Sequence, residues 1–416
     1  MTDTHVEMIN LGDELLLGLR TNTHLCNLGK RLAEHGLSIQ RAHVIRDEPE
    51  EIRRCFKTVW PQADLIITTG GLGPTCDDNT RETIAETLGL ELVHDPETEA
   101  AIRTRLAQHG QIVPENSLRQ AKIPAGAQPL ANTYGTAPGL WLQHAGKYLI
   151  MLPGPHVELQ PMFEQAVLPR LHQAGLTQNR TGYLQLSVTG QGESKVAATL
   201  QPLFAPYGKA LQVAYCAHAG MIDIRLNALS TGELDQTQIQ AIGEACRKQL
   251  GADFVGYGEI NLARTVLGQL YRHNKTLAVA ESCTGGLLAS TLTDEPGASA
   301  SFSGGIICYA KATKKEQLGI PASLIQQQGV VSAACAKALA VAAATRFHTD
   351  YALSITGVAG PGGGTTEYPV GTIFIGCYTP EGPNVERINV AGQRQSIKRR
   401  AVNAALDRLR RYLTKN

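Results

Sequence analysis

The run Ala280-Glu281-Ser282-Cys283-Thr284-Gly285-Gly286 carries the strongest chemical signal in the chain. An apolar strand, Thr276–Ala280, ends there in a hydroxyl and two glycines. A serine presented at a strand-to-helix turn can act as a nucleophile, with N–H groups at Thr284, Gly285 and Gly286 holding an oxyanion. The same residues also read as an ordinary helix cap. Beyond Gly256 the only histidines are His273 and His348, and neither lies in a polar loop. Lysine can replace histidine as base if burial keeps its amine neutral. The segment Tyr309–Lys315 offers a phenol and the amines of Lys311, Lys314 and Lys315, and spacing alone does not choose among them. The glycine run Thr356-Gly357 to Gly360 and on to Gly363-Gly364 follows another apolar strand and can wrap a ligand.

A second group lies near the start. The strand Asp64–Thr69 runs into Gly70-Gly71-Leu72-Gly73, and a helix is expected from Asp78. Glycines let the backbone approach an anion, and a helix N-terminus offers free N–H groups to phosphate. No GK[ST] follows, so this is not a P-loop. Asp77 and Asp78 read either as an N-cap pair or as ligands of a divalent ion such as Mg²⁺. Gly12-Asp13-Glu14 closes the first strand, and Asn22 opens the next helix. Pro153-Gly154-Pro155 closes another strand, so three glycine-containing loops are expected on one edge of a sheet, where ligands of open α/β sheets collect.

The elements that must position these residues alternate from the start. Strands are expected at His5–Asn10, Leu37–Ile45, Asp64–Thr69 and Tyr148–Leu152, with helices at Thr21–Gly36, Pro49–Trp60 and Asp78–Leu88. That rhythm predicts a parallel sheet with helices on both faces. A smaller α+β unit follows, with strands Tyr183–Thr189 and Met221–Ala228 and helices Ser194–Phe204 and Leu234–Leu250. A third unit runs from Gly256 and closes on an amphipathic helix, Ile397–Leu413. The expected domains are therefore 1–174, 175–255 and 256–416.

With 43% hydrophobic and 18% charged residues, the 416-residue chain can bury several cores and is not disordered. Its net charge of +1 hides an asymmetry: 17 basic against 10 acidic residues from Gly256 onward, 21 against 27 before it. Eight cations lie between Arg394 and Lys415, a solvated helix face or a phosphate-binding patch. The nine cysteines show no CxxC, which argues against zinc and for reduced thiols. No apolar run reaches 18 residues, and the segment MTDTHVEMINLGDE has no basic n-region and no long apolar h-region, so a cytoplasmic protein without membrane contact is expected.

The motifs GDELLLG, TGGLGPTxDDxT, NTYGTAPG (Asn132–Gly139) and LPGP…E (Leu152–Glu158) resemble the amino-terminal domain of CinA (competence/damage-inducible) proteins. That domain is similar to the molybdopterin-binding MogA/MoeA fold, whose D-x-T-x-E pattern matches Asp78, Thr80 and Glu82. The resemblance implies a three-layer α/β domain and metal-dependent ADP-ribose pyrophosphatase activity. Asp78, with Asp13, Glu14 and Asp77, would hold the divalent metal. Gly12, Asn22, Gly70, Gly71, Gly73, Thr75, Thr80, Pro153 and Gly154 would contact the substrate.

The motifs AESCTGG, YxxxxK, TGxAGPxGG and PVGT resemble the carboxy-terminal CinA domain, the PncC family of nicotinamide mononucleotide (NMN) amidohydrolases. The resemblance implies an α/β domain that needs no metal. Ser282 would attack the carboxamide, Lys314 would take its proton, and Tyr309 would relay between them. Thr284, Gly285 and Gly286 would surround the oxyanion. Thr356, Gly357, Gly360 and Gly363 would wrap the ligand, and Arg394 would meet its phosphate. GxGES at Gly190–Ser194 belongs to a middle unit that resembles a KH-like domain. A homodimer that takes small nucleotides, NMN and ADP-ribose, is expected. Three alternatives stand beside this reading: a molybdopterin adenylyltransferase, a competence-related nucleic-acid-binding protein, and Cys283 as the nucleophile. Residues 176–255 have no GxxG loop and few cations, which speaks against nucleic acid.

Overall fold

Every residue of VEMINL is buried in the first strand, β1 (Val6–Leu11), because the sheet around it is covered on both sides. The computed structural model describes residues 4–108, 110, 113–177, 183–228 and 234–415. It divides into two units, Met1–Thr181 and Gly182–Asn416.

In the first unit β1 leads through a short helix, α1 (Asp13–Leu16), and α2 (Thr23–Glu34) to β2 (Ile39–Ile45). Then come α3 (Pro49–Val59), β3 (Leu65–Thr69), α4 (Thr80–Leu88), β4 (Leu92–His94), α5 (Pro96–Gln108) and β5 (Lys122–Pro124). β6 (Gln128–Leu130), β7 (Gly139–His144), β8 (Lys147–Leu152), α6 (His156–Met162) and α7 (Leu168–Gln173) complete it. The main sheet runs β2-β1-β3-β8-β7-β6. Its first four strands are parallel, whereas β7 and β6 join antiparallel. The expected all-parallel sheet is therefore mixed. The two-residue link between β7 and β8 allows only a hairpin, since a parallel return needs a crossover. Alternate residues face opposite layers. Met8, Leu65 and Ile150 pack with Leu28 and Leu32 of α2, while Ile9, Ile66 and Leu149 pack with Ile52 and Phe56 of α3. These layers bring Gly12, Gly70 and Pro153 to the same C-terminal edge.

The second unit begins with β9 (Tyr183–Thr189), α8 (Glu193–Phe204), β10 (Leu211–His218), β11 (Met221–Ala228), α9 (Gln236–Leu250) and β12 (Phe254–Tyr257). These strands form an antiparallel sheet, β10-β11-β9-β12, under α8 and α9. Next come α10 (Leu262–Arg272), β13 (Leu277–Glu281), α11 (Leu287–Thr293) and β14 (Phe302–Ile307). α12 (Lys311–Leu318), α13 (Ala322–Gln328), α14 (Ala333–Phe347), β15 (Tyr351–Gly357), β16 (Thr372–Tyr378), β17 (Asn384–Asn389) and α15 (Arg394–Lys415) end the chain. The second sheet runs β14-β13-β15-β16-β17, with α14 on one face and α10 and α15 on the other. β12 crosses the boundary expected at 255/256, and Met221 packs in the core of the second sheet. No helix among the described residues is long and apolar enough to cross a membrane.

Candidate functional site

Ser282 follows β13 directly, and its N–H donates to Ile355 O of the neighbouring β15. The hydroxyl is thereby fixed at the sheet's edge. β14 lies on the other side, and the chain turns after it into α12. Helical spacing puts Lys314 and Leu318 on the inward face of α12 and leaves Lys311 and Lys315 outside. This resolves the choice among the amines. Lys314 is 1% exposed, with Nζ 3.0 Å from Ser282 Oγ, 2.6 Å from Cys308 O and 3.3 Å from Tyr309 O. Its three partners are two carbonyls, which can only accept, and one hydroxyl, which can also donate.

The helix that follows the serine turn, α11, begins at Leu287. Gly285 and Gly286 take positive φ in the intervening turn, which an L side chain rarely adopts. Glu281, to which the sequence reading gave no role, is 1% exposed and caps α11 from the strand behind. Its carboxylate accepts from the N–H groups of Gly286, Leu288 and Ala289 at 2.8–3.0 Å. Gly286 N–H is therefore committed and cannot serve an oxyanion, and Gly285 N–H donates to Ser282 O. The N–H groups of Cys283 and Thr284 make no hydrogen bond among the described residues. Thr284 Oγ1 is buried without a partner among them.

Tyr309 is not placed as a relay. Its ring is exposed, and its hydroxyl accepts from Arg394 Nη2 at 3.0 Å rather than standing between Ser282 and Lys314. Only its carbonyl touches Lys314. Arg394 Nη1 also donates to Gly360 O at 2.6 Å, tying the glycine loop to the tyrosine. Thr356 is buried and its hydroxyl donates to Val330 O, so it braces the loop instead of facing a ligand. A Cβ at Gly357 or Gly360 would collide with β16 or Val370, whereas Gly363 stands in the open. Lys398, missed in the sequence, lies with Nζ 3.7 Å from where a Cβ on Gly285 would be. Burial pushes the Cys283 thiol up to about 12, which disfavours the nucleophilic thiolate at neutral pH.

In the first unit a cleft of about 340 Å³ is lined by Gly12, Gly70, Gly71, Gly73, Pro153 and Gly154, as the motifs suggested. It also carries the carboxylates of Glu14, Asp47, Asp77, Asp78 and Glu158, and none of its lining residues is a cation. Gly70 has φ +100° and passes 3.7 Å from the Cβ position of Gly154, so the loops pack backbone to backbone. Three expected contacts belong to the scaffold. Asn22 caps α2 by accepting from Leu25 N, Thr80 Oγ1 donates to Gly70 O from a buried position, and Thr75 donates its N–H and hydroxyl to Asp78. Asp13 is exposed and not part of the lining.

Asp47 and Gln120 were missed because both come from outside the motifs. Burial pushes the Asp47 carboxyl up to about 6; the N–H of Asp13 opposes this, and the charges of Glu14, Asp13 and Asp77 add to it. Gln120 is fully buried, and its Oε1 has no partner among the described residues. Carboxylate oxygens are the donors hard dications prefer. Yet among the described residues no three acidic, His or Cys side chains converge tightly enough to cage an ion. The residues fit only the looser mode, in which one or two carboxylates hold the ion together with substrate phosphate and water.

Residues 259–413 match the family model described as "CinA C-terminal domain", and residues 7–173 match "Probable molybdopterin binding domain". The chain is 39% identical over 417 residues to the "CinA-like protein" of Kosmotoga olearia, covering 98% of each. It is 36% identical over 418 residues to the "CinA-like protein" of Dictyoglomus thermophilum, again covering 98% of each.

Proposed function

The chain belongs to the CinA family, and from that premise we propose that its second unit hydrolyses the carboxamide of NMN to nicotinate mononucleotide and ammonia. The observation that carries this reading is the buried Lys314 Nζ 3.0 Å from Ser282 Oγ, with only carbonyls as its other partners. Ser282 Oγ attacks the amide carbon while its proton passes to Lys314. The oxyanion forms beside the uncommitted N–H groups of Cys283 and Thr284. Lys314 then gives its proton to the departing amine, and ammonia leaves an acyl-Ser282. Water attacks that ester, losing its proton to Lys314, and nicotinate mononucleotide is released as Ser282 regains a proton. The test is ammonia release from NMN by wild type and Ser282→Ala. An alanine enzyme with normal turnover would refute the assignment.

For the first unit we propose hydrolysis of ADP-ribose to AMP and ribose 5-phosphate. An acidic cleft repels a pyrophosphate unless a dication comes with it, and five lining carboxylates create that requirement. One or two of the lining carboxylates Glu14, Asp47 and Asp77 would hold the ion together with substrate phosphate and water, and the ion would supply polarisation of the pyrophosphate. The glycine edges of Gly70–Gly73 and Gly154 admit the phosphates, and Asp78 keeps the loop closed on Thr75. Product analysis with ADP-ribose, with and without chelator, tests this. A molybdopterin adenylyltransferase would leave ADP-ribose intact.

A further inference from the structure

We infer that Arg119 is a positioning residue for the first unit's cleft: it holds the Gly70–Asn79 loop by its carbonyls, so that the loop keeps its N–H groups for an anion. This deepens the pyrophosphatase reading above and rests on it. Arg119 lies on the short helical segment Glu115–Ala121, outside the motifs of the cleft, and is not part of the cleft's lining. Its guanidinium bridges the two ends of the turn that closes the loop. Nη1 donates to Thr75 O at 2.7 Å and Nη2 to Asp78 O at 3.1 Å. Two neighbours on the same segment act alike. Gln120 Nε2 donates to Leu72 O and Asn116 Nδ2 to Pro74 O, each at 3.4 Å.

The consequence is electrostatic. Carbonyl oxygens repel a phosphate, and here those of Leu72, Pro74, Thr75 and Asp78 are all engaged by donors from one segment. The N–H groups of Gly71, Leu72 and Gly73 make no hydrogen bond among the described residues, and all three residues line the cleft. Successive free N–H groups make an anion-binding concavity. The loop has little slack in which to lose that arrangement. A Cβ on Gly71 would run into Thr80, and one on Gly73 into Asp78.

The charge of Arg119 is not offered to the ligand. Glu82 Oε1 accepts from its Nη2 at 3.0 Å and also from Nη2 of the buried Arg81. The shape of the group is what matters. A planar guanidinium has donors for two carbonyls and a carboxylate at once, whereas an ammonium is a single point charge. Arg119→Lys therefore keeps an ion pair with Glu82 and gives up the bridge.

The experiment compares the full chain with Arg119→Ala and Arg119→Lys. Hydrogen exchange of the ligand-free protein follows residues 70–80, where the amides of Thr75, Asp78 and Thr80 are bonded inside the loop. Calorimetry with magnesium pyrophosphate reads the free N–H groups, and rates with ADP-ribose separate KM from kcat. Arg119→Ala is expected to speed exchange over 70–80 while β1 and β3 keep their protection. It should weaken pyrophosphate binding about tenfold or more and raise KM by a similar factor, with kcat changed less. Arg119→Lys should lose most of the same affinity, and it decides the matter if Arg119→Ala does not fold. Unchanged exchange or unchanged binding in a folded variant overturns the inference, as does a loss confined to kcat. So does a wild type that does not bind magnesium pyrophosphate. A wild type that leaves ADP-ribose intact but binds magnesium pyrophosphate, with that affinity lost in Arg119→Ala, supports the positioning role. That last result would sink the pyrophosphatase reading alone.

Discussion

At the Ser282 turn the reacting groups are matched by the protein itself, whereas the Gly70–Asp78 cleft gathers carboxylates with no cation among its lining residues. Lys314 has its acceptors in place before any ligand arrives, and Glu281 fixes the turn from behind. A site preorganised in this way would react without rearranging, which is the main source of electrostatic catalysis. The cleft, by contrast, buries Asp47 among like charges, and burial first, with those charges adding to it, raises its carboxyl to about 6. It becomes complementary to an anion only when a cation is added. The two proposed functions divide along this difference, a self-contained reaction for the second unit and an ion-dependent one for the first.

The largest expected effect breaks the self-contained site. Ser282→Ala and Lys314→Ala should each lower deamidation by roughly 10³-fold or more, with the double variant little worse, because nucleophile and base act as one unit. Single-turnover rates, with circular dichroism to confirm folding, check this. Additive losses would separate the two residues.

Next in size, Asp78→Ala should lower ADP-ribose hydrolysis by about 10² or more and leave deamidation unchanged, since it frees the Gly73–Thr75 loop. Chelator should stop the first activity and spare the second. Equal loss of both in a folded protein would show that the sites are not independent.

Glu281→Ala tests how much of the serine site is scaffold. Removing the acceptor of three buried N–H groups should cost about 2–4 kcal/mol of stability, with Glu281→Gln recovering part of it. Urea unfolding measures this, and a loss under about 0.5 kcal/mol would contradict the cap.

A smaller effect probes the acidic cleft by pH. A carboxyl raised from 3.8 to about 6 binds its proton more tightly in the folded state. Its contribution to stability is therefore full below its ordinary range and declines as pH rises through about 6. Asp47→Asn should raise the melting temperature at about pH 8 relative to wild type and change it little at about pH 4. A gain confined to low pH would reverse the sign and refute the crowding of charges. The smallest effect is expected from Cys283→Ala, which should keep deamidation within a few-fold while costing roughly 1 kcal/mol for a lost buried group.

Much of this was legible in the sequence because it is local. Strand patterns such as DLIITT, helix stops at glycine and the motif glycines depend on neighbours along the chain, and the structure places them as β3, the ends of α2 and α4, and the cleft edges. The short hairpin strands β6 and β7 were not legible, since NTYGTAPG reads as loop and their pairing is set by a partner strand. Local spacing fixed Ser282 at a turn and a lysine within a few residues of Tyr309. Only the tertiary structure chose Lys314 over Lys311 and Lys315, turned Tyr309 toward Arg394, and gave the Gly286 N–H to Glu281. Only it brought Asp47 into the cleft and Lys398 beside Gly285. The physical reason is the same in each case. Burial and hydrogen-bond partners come from segments distant in sequence, and they decide which of several chemically equivalent side chains is held where it can react.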